Sequence, residues 1–252
     1  MGQRAYLIRT LVDRDMKIMY KRSMLGIAWT LISPTLQLMT LVFVFQYVIK
    51  VNITQYASFV FTGLLIWNWF QSSLFQATNS IVANRGLIRQ PNLPVGVLPV
   101  AVIVTGWVHL LLALPLLFLF LILEGAQIHY SALIALPALM IIQFLLSLVL
   151  SYLLASLNVR FRDTQHTLGV ILQLLFYVTG IFYQVDSVPE QFQVLYNLNP
   201  MVHIIGSYRN VLIYGMPPYW LAILLVLFVS LLLLPLSHRI FQSQSERFVE
   251  EL

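Results

Sequence analysis

The sequence predicts an all-α polytopic membrane protein with six transmembrane helices. Hydrophobic residues make up 60% of its 252 residues and charged residues only 9%, whereas soluble proteins carry about 25% charged residues. Six stretches lack Asp, Glu, Lys and Arg, and each reaches the roughly 20 residues that an α-helix needs to cross the hydrocarbon core. These stretches are 28–49, 56–83, 93–123, 130–157, 164–185 and 216–237. They leave no room for a separate soluble domain, so we expect residues 1–252 to form one transmembrane domain.

The basic residues are concentrated in alternate connectors. With a cytoplasmic N-terminus, Lys50 and Arg209 are the only two of the 14 Lys and Arg residues placed outside, and the other twelve lie inside. This bias follows the positive-inside rule. We therefore expect both termini to face the cytoplasm.

An amphipathic helix along the membrane surface is predicted for residues 4–22. Ile8, Leu11 and Val12 belong to an apolar face with helical spacing, and charged side chains follow the opposite side. Asp15 falls among the apolar positions. We therefore expect protein or a cation to cover part of that face.

The second connector, residues 84–92, is short and basic. Pro91 would end a helix just before it, which leaves one or two helical turns that carry Leu87 and Ile88. Two interpretations remain open. The segment is either a short helix that docks into a soluble partner or a loop whose positive charge only fixes the topology.

The connector between the fifth and sixth stretches, residues 186–215, is too apolar for a solvated loop. Ser187 and Glu190 have the spacing of a capping box with Pro189 between them, and Asn199–Pro200 gives a second helix start. This pattern predicts two short helices that dip back into the outer leaflet or cover an opening.

Those two helices are predicted near 188–198 and 200–214. Arg209 is the only basic residue on the second one. Its side chain either meets an anionic group or extends to the lipid headgroups, and the second interpretation is favoured.

Aromatic residues cluster on the first and fifth stretches, mostly near the outer end. The members are Trp29, Phe43, Phe45, Tyr47, Phe176, Tyr177, Phe182 and Tyr183. An aromatic belt at the membrane interface is the usual explanation. The functional alternative is a stacking surface for sugar rings, and uncharged polar residues such as Gln37, Asn68 and Gln71 leave room for a hydrated path.

Several kinds of chemistry find no support in the sequence. Cysteine is absent, so disulfides and thiolate sites are excluded. No Gly is followed by Lys, so the chain has no Walker A loop. His109 lacks a neighbouring acid and is interpreted as a packing residue, and Glu124 and His129 fit a solvated turn. We predict no catalytic residue and no metal site, and we expect the energy source to lie outside the bilayer.

Three segments, in order along the chain, resemble one family. They are residues 14–29 with Pro34, residues 157–163, and residues 183–189 followed by 198–201. Similar segments occur in the permease subunits of polysaccharide-exporting ABC transporters, which include the Wzm-type (O-antigen), KpsM-type (capsule) and TagG-type (teichoic acid) proteins.

The resemblance implies roles for particular segments. Residues 4–22 would be an interface helix beside the ATPase, residues 188–198 and 200–214 would be re-entrant gate helices, and the aromatic residues of spans one and five would line the channel. The implied site residues are Arg85, Gly86, Leu87, Ile88 and Arg89 for the coupling helix, Pro189, Asn199, Pro200 and Arg209 for the outer gate, and Arg14 and Arg22 for a lipid-diphosphate entrance.

The resemblance also implies partners. Two copies of the permease would join two ATPase subunits, which would bind ATP and Mg while this chain holds no cofactor. The cargo would be a lipid-linked polysaccharide of the O-antigen type, which the transporter would move across the bacterial inner membrane. Nucleic acid would not be a partner.

Two other functions are weighed against this one. A similar six-span permease could export a drug or another small hydrophobic molecule, and the aromatic clusters favour a glycan instead. An integral membrane glycosyl- or acyltransferase would need acids, bases or metal ligands at one membrane face, which the sequence does not supply.

Overall fold

The computed structural model describes residues 2–21, 23–88, 93–126 and 129–245. Every regular element in these residues is a helix, as the sequence predicted. The α-helices are α1 Gly2–Tyr20, α2 Trp29–Val42, α3 Tyr56–Ala83, α4 Arg85–Ile88, α5 Val97–Leu123, α6 Tyr130–Leu133, α7 Leu136–Arg160, α8 Asp163–Val178, α9 Glu190–Asn197, α10 Pro200–Arg209 and α11 Trp220–Ser245. A 3-10 turn, Gly26–Ala28, precedes α2, and π-helical segments, Phe43–Val48 and Asn210–Tyr214, extend α2 and α10.

Four segments of the described chain are long and apolar enough to cross a membrane. They are Gly26–Val48, Val97–Leu123, Leu136–Arg160 and Trp220–Ser245. Helix α3 has 28 residues but does not belong to this group, and it carries several amide side chains. Helix α8 has 16 residues, which at 1.5 Å per residue reach about 24 Å, less than the ~30 Å of the hydrocarbon core. The second and fifth spans therefore stay predictions.

Helix α3 forms the centre of the bundle. It packs against α2, α5, α7, α8 and α10, and Trp67, Phe61 and Leu64 on it are fully buried. Helix α5 approaches closely at Gly106, where a Cβ would lie 2.8 Å from Cδ1 of Trp69. Because neighbouring helices cover α3, its polar side chains can face protein instead of lipid, and the helix does not need a continuous apolar surface.

The N-terminal helix α1 packs against α5. Leu11 and Val12 are buried in a cluster with residues from α5, α7 and α11, which agrees with the expectation that protein covers part of its apolar face. Asp15 is paired with its neighbour, since Nη2 of Arg14 lies 2.7 Å from its Oδ1. The charge of Asp15 is therefore balanced within α1.

The connector after α8 departs from the sequence prediction at its start. The predicted capping box at Ser187 is wrong: Val185–Ser187 forms a 3-10 turn, and α9 begins at Glu190 with no side-chain cap. Pro189 in the extended conformation separates the two elements, so the Ser187 hydroxyl does not reach the N–H groups of α9.

The second predicted helix start is confirmed. Oδ1 of Asn199 accepts a hydrogen bond from the backbone N–H of Met201 at 3.0 Å, with Pro200 in the first turn of α10. Nδ2 of Asn199 also donates to Oγ1 of Thr179 at 3.0 Å. Gly215, with φ of 63°, ends the π-helical extension in the left-handed conformation that favours glycine.

Candidate functional site

Arg209 connects α10 to α3 and to the turn that follows α8. Only 5% of Arg209 is exposed. Its Nε donates to the Phe59 carbonyl at 3.2 Å, Nη1 donates to the Gly180 carbonyl at 2.9 Å, and Nη2 donates to the Ile181 carbonyl at 2.7 Å. The guanidinium carbon also lies 3.4 Å from the centroid of the Phe59 ring, a cation–π contact.

The favoured interpretation of Arg209, extension to the lipid headgroups, is wrong. Backbone carbonyls that no helical hydrogen bond uses are available around the turn at Gly180, and they attract the guanidinium into the protein. Gly63 on α3 provides the space, because a Cβ there would lie 2.8 Å from Nη2 of Arg209.

Five of the eight candidate channel aromatics form one cluster at the C-terminal ends of α2 and α8. Phe182 is the centre, with ring centroids 4.7 Å from Phe45, 6.0 Å from Phe176, 6.2 Å from Tyr177 and 5.1 Å from Tyr183. The cluster continues to α9, where the hydroxyl of Tyr196 is hydrogen-bonded to the hydroxyl of Tyr183. Most of these rings are at least partly buried, and Tyr177 is exposed.

The other three candidate aromatics lie apart from this cluster. Phe43 and Tyr47 are 63% and 68% exposed and continue a stripe of exposed apolar residues along α2 that includes Leu36 and Met39. Trp29 is at the opposite end of α2, in the wall of a different cavity. The eight residues therefore do not form one continuous surface within a single chain.

A groove of about 470 Å³ runs between α2 and α8 with α3 as its floor. Its lining combines amides with aromatic rings: Gln37, Asn68, Gln71, Gln173, Phe176 and Tyr177. Nδ2 of Asn68 donates to Oε1 of Gln37 at 3.4 Å. Such a surface offers hydroxyl groups both hydrogen-bond partners and stacking faces without presenting a charge.

A second cavity, of about 590 Å³, lies where the C-terminal end of α1 meets α2, α3 and α5. The Tyr20 hydroxyl is hydrogen-bonded to Oγ1 of Thr30 and to Nε2 of His109, the latter at 3.0 Å. His109 thus has a neutral hydroxyl partner, as a packing role requires, and the contact joins α1 to α5.

The predicted coupling residues occupy the short helix α4. Ile88 is buried against the cluster that holds Leu11 and Val12, whereas Arg85, Gly86 and Leu87 keep accessible surface. Arg89 lies outside the described residues. Of the two entrance residues, Arg14 forms the ion pair with Asp15, and Arg22 also lies outside the described residues.

The two predicted gate helices differ in their surroundings. Most apolar side chains of α10 are buried inside the chain, and Phe192, Val194 and Leu195 on α9 are exposed. Pro189 is exposed, and Asn199 and Pro200 are partly buried at the junction between the helices.

Glu124 has a structural role that the sequence interpretation missed. Its Oε1 accepts from the backbone N–H of Ala57 at 3.1 Å and its Oε2 accepts from that of Ser58 at 2.8 Å. The carboxylate therefore satisfies two free N–H groups at the N-terminus of α3, where a negative charge is also favoured by the helix dipole. The interpretation of Glu124 as a solvated turn residue is wrong.

Comparison with known proteins identifies the family. Residues 6–213 match the ABC-2 type transporter family. The O-antigen export system permease protein RfbA of Myxococcus xanthus is 33% identical over 248 residues, which cover 98% of this chain and 95% of the relative. RfbA of Klebsiella pneumoniae is 32% identical with the same coverage, and the polysialic acid transport protein KpsM of Escherichia coli is 21% identical over 82% of this chain and 81% of its own length.

These matches confirm the resemblance drawn from the sequence segments and set aside the interpretation as a membrane-bound transferase. The helical architecture, the apolar spans and the family match agree with one another. The chain belongs to the ABC-2 type transporter family and is a multi-pass membrane transport subunit.

Proposed function

We propose that this chain is the permease subunit of an ATP-driven exporter that moves a lipid-linked cell-surface polysaccharide, most closely an O-antigen, across the bacterial inner membrane. The observation that carries the proposal is the similarity to O-antigen export permeases along 98% of the chain. The uncharged groove between α2 and α8 supports it, because amides and aromatic rings suit a polyhydroxylated chain better than an ion.

The energy source and the second half of the channel lie in other subunits. Because no Gly is followed by Lys in the sequence, a Walker A loop must come from a partner ATPase, which would bind ATP and Mg. The exposed apolar stripe on α2 and a similar one on α8 with Val170, Leu174 and Val178 support a homodimer in which two such faces enclose the glycan.

The proposed topology keeps six spans, with α3 and α8 as the second and fifth, and places both termini in the cytoplasm. Helices α9 and α10 would be re-entrant gate elements on the outer side. The basic bias of the connectors supports this orientation. It places α4 beside the ATPase and α1 along the inner surface, with Arg14 and Arg22 near a diphosphate entrance.

Reconstitution of the chain with its ATPase partner tests the proposal. In proteoliposomes, ATP-dependent transfer of a lipid-linked polysaccharide is measured, and ATPase stimulation by this glycan is compared with stimulation by small amphiphiles. Stimulation by the amphiphiles alone would favour the drug-exporter alternative and reject glycan export.

Aromatic variants add a test of the groove. Alanine replacement of both Phe176 and Tyr177 should lower transfer by about fivefold or more if stacking contributes about 1–3 kcal/mol in total. Phe228→Ala is the matched control, because Phe228 is an exposed aromatic residue on α11. Equal transfer by the double variant and the control would exclude a stacking role.

A further inference from the structure

A third cavity, of about 580 Å³, lies at the outer end of the bundle between α10 and the start of α11. It is separate from the groove between α2 and α8. Its polar and aromatic lining residues include Gln184, His203, Arg209, Asn210, Tyr219 and Trp220. The proposed export path does not use this cavity.

Arg209 gives the cavity a buried positive charge. Its guanidinium has five N–H donors, and three of them are used by the carbonyls of Phe59, Gly180 and Ile181. One N–H on Nη1 and one on Nη2 remain. Among the described side chains, no carboxylate is paired with Arg209. Carbonyl dipoles solvate the cation without cancelling its charge, and a buried charge favours an opposite partner.

The remaining walls can also donate hydrogen bonds. Nδ2 of Asn210 donates to the Pro217 carbonyl at 3.2 Å and keeps a second N–H. Nε2 of His203 donates to the Asn197 carbonyl at 2.8 Å, so that N–H is not available to a ligand. Buried cationic and amide donors around one cavity are typical of an anion site.

The mouth of the cavity is at the level expected for lipid headgroups. Trp220 is the first residue of α11, one of the four candidate membrane spans in the described chain, and Tyr219 and Trp220 are both partly open to the surroundings. Tyr and Trp are enriched where a span meets the headgroups. Leu221, which follows them, also lines the cavity and is 87% exposed.

We propose that this cavity binds the phosphate of a phospholipid headgroup from the outer leaflet. The two remaining N–H groups of Arg209 would donate to phosphate oxygens, with Asn210 beside them, while the acyl chains would lie along α11. A bound lipid would thereby bridge α10 and α11 and hold the outer end of the protein together. This binding goes beyond the proposed export activity and does not depend on the identity of the cargo.

Native mass spectrometry of the purified full-length chain with its ATPase partner tests the proposal. The complex is titrated with dimyristoyl phosphatidylglycerol, with dimyristoyl glycerol as the same lipid without phosphate, and with inorganic phosphate. Preferential retention of the phospholipid is expected. Arg209→Met should weaken this retention by about tenfold or more, since hydrogen bonds to charged groups contribute about 1.5–3 kcal/mol.

A cavity-filling variant keeps the test valid if Arg209→Met fails to fold. Ala222 lines the cavity, so Ala222→Phe should exclude the headgroup while leaving the three carbonyl contacts of Arg209 intact. Leu224→Phe, an exposed position on the same helix, is the matched control and should retain the lipid. Thermal unfolding confirms that each variant is folded.

Three results would overturn the inference. They are equal retention of phospholipid by Ala222→Phe and Leu224→Phe, equal retention of dimyristoyl glycerol and phosphatidylglycerol, and binding of inorganic phosphate without any preference for the phospholipid. Because the readout is binding and not export, each of these results is distinct from a failure of the transport proposal.

Discussion

Replacing Gly63 by alanine is expected to displace Arg209 and destabilise the region where α3, α10 and the turn after α8 meet. The added Cβ would lie 2.8 Å from Nη2 of Arg209, 3.2 Å from the Ile181 carbonyl oxygen and 3.3 Å from Cγ2 of Ile181. A normal separation is about 3.5 Å, so the guanidinium must move by roughly 0.7 Å. Nη2 donates a 2.7 Å hydrogen bond to the Ile181 carbonyl, and a movement of this size would weaken or break it.

The size of the effect follows from opposing contributions. Loss of one hydrogen bond to a charged group costs about 1.5–3 kcal/mol, and Gly→Ala inside a helix recovers about 0.5–1 kcal/mol. The free energy of unfolding should therefore fall by about 0.5–2.5 kcal/mol. For a protein of this size, each kcal/mol lowers the melting temperature by about 2–4 °C, so we expect a decrease of roughly 1–10 °C.

Thermal unfolding of the purified protein, followed by tryptophan fluorescence, measures this shift. Gly169→Ala on α8 is the matched control, because a Cβ at that position would meet the ring of Phe75 at 3.4 Å, an ordinary contact. The control should melt at or slightly above the wild-type temperature. Melting of Gly63→Ala at or above the control temperature would refute the assignment of Gly63 as the space for Arg209.

Three further predictions concern the ends of helices. Glu124→Ala should lower the free energy of unfolding by about 1–2 kcal/mol, because two N–H groups at the start of α3 lose their acceptor; chemical denaturation measures this, and an unchanged midpoint contradicts it. Asn199→Ala should cost about 0.5–2 kcal/mol by loss of the α10 cap, with hydrogen exchange in α10 as the readout and unchanged protection as the contrary result. Glutamate at both Arg85 and Arg89 should abolish most ATP-dependent transfer and leave membrane insertion and ATP hydrolysis intact. Lys50→Glu, which lies outside in the proposed topology, should retain transfer.

The helices could be predicted from the sequence because hydrophobicity and length are local properties. The central position of α3 could not, although its amide side chains were visible in the sequence. If α3 faced lipid, the side-chain amides of Asn68, Gln71 and Gln76 would find no hydrogen-bond partners in the hydrocarbon core. In the structure Asn68 and Gln71 face the groove between α2 and α8, and Gln76 lines the cavity that contains Trp29, an arrangement that depends on how the helices pack together.

The roles of Arg209 and Glu124 depend on backbone groups that are distant in the sequence. The partners of Arg209 are carbonyls of residues 59, 180 and 181, and the partners of Glu124 are N–H groups of residues 57 and 58. A backbone carbonyl leaves no side-chain signal in the sequence. The sequence therefore drew attention to Arg209 as a single charge on an apolar segment, but it could not identify the partners of either residue.

The sequence identified the aromatic residues as a group, but their separation into a cluster of five rings and three separate rings required the structure. The sequence interpretation treated 164–185 as one helix, in which Phe182 and Tyr183 would follow the same axis as Phe176. Instead α8 ends at Val178, and Gly180, with φ of 70°, reverses the chain. This turn directs Phe182 back toward Phe45 on α2, which makes it the centre of the cluster.

Arg209 links the proposed channel wall to the proposed gate through this same turn. Gly180 and Ile181 directly precede Phe182, and their carbonyls are held by a side chain from the last residue of α10. A displacement of α8 that widens the groove must therefore either break two hydrogen bonds to a charged group or move α10 with it. Breaking both would cost about 3–6 kcal/mol, so we expect α8 and α10 to move together. Arg209 therefore connects the turn that carries the aromatic cluster to α10, the proposed gate helix.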